Sequence, residues 1–280
     1  MAAGRTRRSK ILTHVLLLPF LVFALFPFYH MTMTSLKQDK ELYDRFAVPL
    51  WIKQGPTLDH YTKLFRETEF LTWTKNSLMV TVLATTASVA IATIAAYALS
   101  RLQFRGVNSF GTGIFVTYLV PPSILFIPLA AIVYKFQLFD TRLALIVTYP
   151  TFLIPFCTWL LMGYFRTIPY ELEECALIDG ASRWQILVRI VLPLAVPGLI
   201  SAGIFAFTLS WNEFIYALTF ISSSEVKTIP VGVVTELVEG DVYHWGALMA
   251  GALFGSLPVA ILYSFFVEYY VSGMTGAVKE

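Results

Sequence analysis

Six apolar stretches dominate the hydropathy pattern: Ile11–Met33, Ser77–Leu99, Phe110–Tyr134, Leu143–Phe165, Leu192–Ile221 and Trp245–Val267. Each is near or above the roughly 20 residues a helix needs to cross the hydrocarbon core of a bilayer. The pattern therefore predicts an all-α integral membrane protein with six transmembrane helices. One long charge-bearing segment, Glu171–Pro197, reading ELEECALIDGASRWQILVRIVLPLAVP, lies between the fourth and fifth stretches. A polar helix-turn-helix in that setting reads as a docking surface for another protein.

Within that segment, Thr167 is expected to cap a helix with Pro169 in its first turn. Leu172, Cys175 and Ala176 would share one face, leaving Glu171 and Glu174 on another. Asp179-Gly180 is a turn signal, and Trp184, Leu187, Val188 and Val191 follow the period of a second amphipathic helix. Pro193 and Pro197 mark the entry into span five.

The spans carry their own punctuation. Ala84, Ser88, Ala92 and Ala96 in span two, and Ala247, Gly251 and Gly255 in span six, form small-residue stripes for close helix packing, inside one subunit or between subunits. Pro121, Pro122 and Pro128 in span three, and Pro150 and Pro155 in span four, imply kinked or broken helices. Span five contains Trp211-Asn212-Glu213 with Tyr216 a turn later. That places either a polar lining of a solute path inside the membrane or an interfacial cluster.

Composition agrees with a membrane protein: 57% of residues are hydrophobic and 14% charged, against about 25% charged in soluble domains; mean hydropathy is +0.68. Net charge of +2 offers no argument for nucleic acid, and two cysteines, Cys157 and Cys175, make no disulfide framework. Arg5, Arg7, Arg8 and Lys10 precede the first span and Arg101 and Arg105 follow the second, which by the positive-inside rule puts both termini in the cytoplasm. The expected layout is a cytoplasmic tail (1–10), a first transmembrane helix too long for a signal peptide (11–33), an extracytoplasmic loop (34–75), a membrane-spanning core (76–268) containing the polar segment (167–191), and a cytoplasmic tail (269–280).

Chemistry is sparse. No glycine is followed by lysine, so no G-x-x-x-x-G-K-[ST] phosphate loop exists in the chain. His14, His30, His60 and His244 have no metal-ligand spacing, and Glu173 beside Glu174 reads as a solvated or partner-facing edge. No catalytic residue, metal site or resident cofactor is expected. An ion-coupled secondary transporter, the rival class, would need a coupling-ion site.

Glu174-Cys175-Ala176, Gly180, Ile190, Leu192 and Pro193 resemble the EAA---G---------I-LP signature of importer permeases of the ATP-binding cassette (ABC) superfamily, with Cys175 in place of the usual alanine. Ala96-Tyr97-Ala98-Leu99-Ser100-Arg101 with Phe104-Arg105-Gly106, Trp211-Asn212-Glu213-Phe214, and Gly273–Lys279 are similar to three further stretches of the MalG-like sugar permeases. The resemblance implies a type I importer fold (MetI-like/MalG-like) in the bacterial inner membrane. It also implies a second, MalF-like permease subunit, an extracytoplasmic solute-binding protein, and a dimer of ATPase subunits that bind ATP and Mg. ATPase coupling would fall to Glu174, Cys175, Ala176, Asp179, Gly180, Ala181, Ile190, Leu192 and Pro193. The translocation pathway would include Trp211, Asn212, Glu213 and Tyr216, and Gly276, Ala277, Val278 and Lys279 would form a C-terminal ATPase contact. Sugars are the expected solutes, with glycerol 3-phosphate or a sugar alcohol as the alternative.

Overall fold

The computed structural model describes residues 7–44, 46, 48–240 and 242–276. In chain order the elements are α1 (Arg7–Leu36), α2 (Asp39–Leu42), α3 (Asp59–Arg66), α4 (Phe70–Arg101), α5 (Val107–Tyr118), α6 (Pro122–Lys135), α7 (Arg142–Thr148) and α8 (Pro150–Arg166). Then come α9 (Glu171–Ile178), α10 (Arg183–Ile186), a π-helical turn (Leu187–Val191), α11 (Leu192–Leu194), α12 (Val196–Trp211), α13 (Ile215–Phe220) and a 3-10 turn (Ser224–Val226). The chain continues through α14 (Ile229–Glu236), β1 (Val238–Glu239), β2 (Val242–Tyr243) and α15 (Trp245–Gly276). The two short strands pair antiparallel, Val238 with Tyr243 and Glu239 with Val242.

Among the described residues, four stretches are long and apolar enough to cross a bilayer unaided: Ile11–Leu36, Phe70–Arg101, Arg142–Arg166 and Trp245–Val267. The other two expected spans are not single helices. Phe110–Tyr134 is split into α5 and α6, which meet at 98°. Pro121 and Pro122 supply no N–H at the junction, and Pro121, forced out of the helical region by the proline after it, is extended at φ −60°, ψ 130°. Leu192–Ile221 is broken twice. Segment Arg183–Leu194 meets α12 at 78°, and α12 ends at Trp211 before α13 restarts at Ile215. Counting each bent pair as one span restores the number to six.

Chain contacts divide the fold into two compact units, Met1–Phe70 with Val233–Ser256 and Leu71–Gly232 with Leu257–Glu280. In the larger unit, α8 packs against both α5 and α12, and α13 packs against α6 and α7. The stripe Ala84, Ser88, Ala92 and Ala96 is fully buried there, so these small residues serve packing within the chain. Gly198 on α12 lies against Tyr164 of α8, where an added Cβ would fall 2.5–2.9 Å from three ring carbons; the two helices touch because that position has no side chain.

In the smaller unit α1 contacts α3 near its C-terminal end, where the Ser35 and Tyr61 hydroxyls share a 2.7 Å hydrogen bond. The large apolar side chains from Ile11 to Tyr29 are exposed, as suits a surface whose solvent is lipid. The segment after α1 is ordered by a buried ion pair. The Lys37 ammonium lies 3.4 Å from the Glu41 carboxylate and donates to the Val48 carbonyl at 2.7 Å. Glu41 also accepts from the backbone N–H groups of Lys53 (3.0 and 3.1 Å) and Gln54 (3.2 Å). Burial alone would raise the Glu41 carboxyl, but these N–H groups and Lys37 outweigh it and hold its pKa below the ordinary carboxylate range.

A lowered folded pKa means that Glu41 stabilises fully above the unfolded value of about 4.3 and loses that contribution as pH falls through the folded one. Glu41→Gln leaves Lys37 buried without its counter-charge, a loss of about 3–5 kcal/mol for a buried pair. Limited proteolysis of the purified protein is expected to cleave residues 37–54 in the variant at neutral pH. Wild type should show the same cleavage only on strong acidification.

Candidate functional site

The polar segment folds as a helix-turn-helix held by local chemistry. Thr167 ends α8 and does not open the next helix: its Oγ1 donates to the Tyr164 carbonyl at 2.7 Å, and α9 starts only at Glu171, after Pro169. α9 stops in a Schellman motif. Ala181 N–H bonds the Ala176 carbonyl (2.9 Å) and Gly180 N–H the Leu177 carbonyl (3.0 Å), with Gly180 left-handed at φ +83°. Ser182 and Gln185 then close a capping box at the start of α10, each side chain bonding the other's backbone N–H (2.7 and 3.3 Å). Beyond it, the missing N–H of Pro193 cannot continue the helix ladder, and the backbone widens so that Leu192 N–H reaches Leu187.

Burial across this segment departs in part from the expectation from apolar spacing: Leu187 and Val191 are buried and Glu171 and Glu174 exposed as expected, but other positions are not. Glu173 is 0% exposed, whereas Ile178 is 85% and Trp184 63% exposed, with Leu172 and Val188 also exposed. The buried positions of the second helix are Ile186, Leu187 and Val191.

Glu173 is therefore no solvated edge, because it meets the last turn of α4. Arg101 Nε lies 2.9 Å from Glu173 Oε1, Tyr97 donates its hydroxyl to Oε2 at 3.1 Å, and Arg183 approaches Oε2 at 4.0 Å. Arg101 Nη2 also donates to the carbonyls of Phe165 (2.5 Å) and Ile168 (2.6 Å) at the end of α8. Its guanidinium stands 5.8 Å over the Tyr170 ring. One side chain thus joins α4, the end of α8 and α9. Sequence reasoning missed this cluster. The available signal was Tyr97 and Arg101 at i, i+4 on a helix end, with an acid run to receive them.

Around this core, Glu174, Cys175, Asp179, Gly180 and Pro193 are exposed, while Ala176, Ala181, Ile190 and Leu192 are partly covered. The four residues expected along a pathway gather at the break between α12 and α13 but point in different directions. Trp211 is buried and stacked on Phe207 at 5.6 Å. Tyr216 is buried beside Tyr149, Phe152 and Phe220. Asn212 is exposed and donates to the Thr208 carbonyl. Glu213 is partly buried and caps α13, accepting from Tyr216 N–H (2.7 Å) and Ala217 N–H (3.1 Å). Gly276 ends α15; Ala277, Val278 and Lys279 lie outside the described residues. Among the described residues no group of three or more His, Cys, Asp or Glu could hold a metal ion.

The family described as "Binding-protein-dependent transport system inner membrane component" matches residues 88–276. The chain belongs to that family: it is a multi-pass inner-membrane permease subunit of the ABC importer class, in which ATP hydrolysis resides in a separate subunit. It is 38% identical to the inner membrane ABC transporter permease protein YcjP of Escherichia coli (strain K12) over 282 residues, covering 100% of both chains. Identity is 37% to the sulfoquinovosyl glycerol transport system permease protein SmoH of Agrobacterium fabrum, covering 92% of this chain and 90% of that protein. The trehalose/maltose transport system permease protein MalG of Thermococcus litoralis is 32% identical over 97% of this chain and 99% of its own. A solved bacterial ABC transporter for import of the acidic polysaccharide alginate shares the fold, with TM-score 0.77 and 24% identity over 96% of this chain and 99% of that one.

A double-mutant cycle tests the buried cluster. Arg101→Met and Glu173→Met are each expected to destabilise the purified protein, and thermal unfolding of the pair should show a favourable Arg101–Glu173 coupling of about 1–3 kcal/mol, as for residues in one network.

Proposed function

We propose that this chain is one half of the translocation path of an ATP-driven, binding-protein-dependent sugar importer. Its partners would be a second permease subunit, a dimer of ABC ATPase subunits that carry the ATP and Mg, and an extracytoplasmic solute-binding protein. Both termini, and the segment from Glu171 to Pro193, would face the cytoplasm, in keeping with the basic residues of the N-terminus and of Arg101 and Arg105. The observation that carries this reading is the mixed outer surface of the segment. It buries an acid to fix its own position and leaves Ile178 and Trp184 outside, beside the exposed acids Glu171, Glu174 and Asp179. Apolar surface flanked by charge in a rigid element is what a partner protein would cover.

Glu174, Cys175, Asp179 and Gly180 would meet the ATPase directly. Ala176, Ala181, Ile190, Leu192 and Pro193 would hold that surface against the spans. Asn212 and Glu213 would border the path, with Trp211 and Tyr216 packed behind them, and the tail Gly276–Lys279 would supply a second ATPase contact. Sugar as the solute rests on relatives named for trehalose/maltose, diacetylchitobiose and arabinooligosaccharides; sugar alcohols and glycerol 3-phosphate are the neighbouring choices. An ion-coupled carrier is disfavoured by the match to binding-protein-dependent transport components over residues 88–276.

Gly180→Pro cannot adopt φ +83°, and Glu174→Lys reverses the exposed charge. Both variants are expected to insert into the membrane at wild-type levels but to abolish solute uptake and to lose the ATPase on co-purification. Normal uptake by either, or transport by the chain alone, would contradict the assignment. Glu213→Gln is expected to lower uptake several-fold without changing how much ATPase co-purifies.

A further inference from the structure

Away from the polar segment, α5, α8 and α12 border a cavity of about 840 Å³, within the 300–1,000 Å³ range of sites for small organic ligands. Asn108, Thr112 and Phe115 reach it from one face of α5, at i, i+4 and i+7; Phe156, Trp159, Gly163 and Arg166 do so from one face of α8. Its two ends differ. Arg166 is the last residue of α8 and Asn108 the second of α5, so these two polar groups mark one end of the cavity. Phe156 lies ten residues, about 15 Å along the helix, further in. There Trp159 and Phe115 stand 6.3 Å apart, and Phe156 meets Phe205 edge-on at 5.4 Å. The side chains of Asn108, Thr112 and Arg166 make no hydrogen bond or ion pair among the described residues.

An amide, a hydroxyl and a guanidinium left unpartnered beside the spans are costly in lipid and useful to a ligand dense in hydroxyl groups. Aromatic faces, negative by their quadrupole, complement the polarised C–H faces of a sugar ring. An acyl chain would use the rings but none of the donors. We propose that this cavity is a binding station for the transported carbohydrate on the exit side of the permease, with Asn108, Thr112 and Arg166 as hydrogen-bonding groups and Trp159 as a stacking platform. The proposal rests on the sugar-importer reading above.

Gly163 supplies the test. A Cβ built there meets nothing within 4 Å, so a side chain at this position starts into open space, and Gly163→Leu adds bulk to the cavity lining while improving helix propensity. The experiment uses the complete importer, with second permease, ATPase and binding protein, reconstituted in liposomes with the sugar its binding protein accepts. Gly163→Leu is expected to cut uptake at least tenfold, while assembly and ATP hydrolysis stimulated by the loaded binding protein persist. Asn108→Ala with Thr112→Val should lower uptake several-fold with the same ATPase stimulation. Uptake at the wild-type rate in Gly163→Leu would overturn the proposal. Loss of the second permease on purification would also overturn it, making the cavity a subunit contact. So would displacement of a co-purifying phospholipid with uptake intact, which would make it a lipid site. If wild type itself imports no carbohydrate, the sugar-importer reading falls first.

Discussion

Removing a carboxylate from water costs several kcal/mol unless charge and hydrogen bonds replace the lost hydration. The Glu173 carboxylate, wholly buried, has Arg101, Tyr97 and Arg183 around it. These partners come from the last turn of α4 and from α10, and the Arg101 guanidinium is itself fixed by two carbonyls after α8. Moving α9 away from α4 by a few ångströms would strand a charge in the protein interior. The position of the polar segment is thereby tied to the spans by a penalty steeper than apolar packing alone would impose.

That constraint explains why the outer face of the segment can be apolar. With Glu173 turned inward, α9 leaves Ile178 outside with Glu171 and Glu174, and Trp184 of α10 is exposed as well. The Schellman end of α9, the Ser182–Gln185 box and the π-helical turn each use a local backbone device to keep the segment rigid up to Pro193. The helix ladder is interrupted at the two breaks that bracket α12. A push on a rigid segment pinned to α4 and α8 would be felt as a change at those breaks, consistent with the proposed coupling role and with the cavity that α12 shares with α5 and α8.

The spans themselves were readable because long apolar runs have few alternatives. Span two, free of Gly and Pro from Ser77 to Leu99, is one helix as expected. Proline marked spans three and four for disruption: span three bends by 98°, whereas Arg142–Arg166 still forms one crossing stretch, and the 78° bend falls instead at the entry to span five, an outcome of tertiary packing that no local pattern carries. Gly180 was legible since few residues tolerate a left-handed turn. The burial of Glu173 was not, because apolar periodicity assumes that charges face water. The acid's partner sits 72 residues earlier, on α4. Trp184 is exposed although Leu187 and Val191 of the same stripe are buried, because the stripe is wider than the contact its helix makes with the spans.

The central claim is that α9 and α4 move as one body. Spin labels at Ile178, at the exposed end of α9, and at Ile94, on the exposed side of α4, would report it in the assembled importer. Cys175 would be replaced by alanine, and Cys157 is buried away from the label. Pulsed electron-electron distances between the two labels should be the same in the nucleotide-free and ATP-trapped states, and Glu173→Gln should broaden them. A shift of several ångströms between the two states in the otherwise wild-type protein would contradict the account.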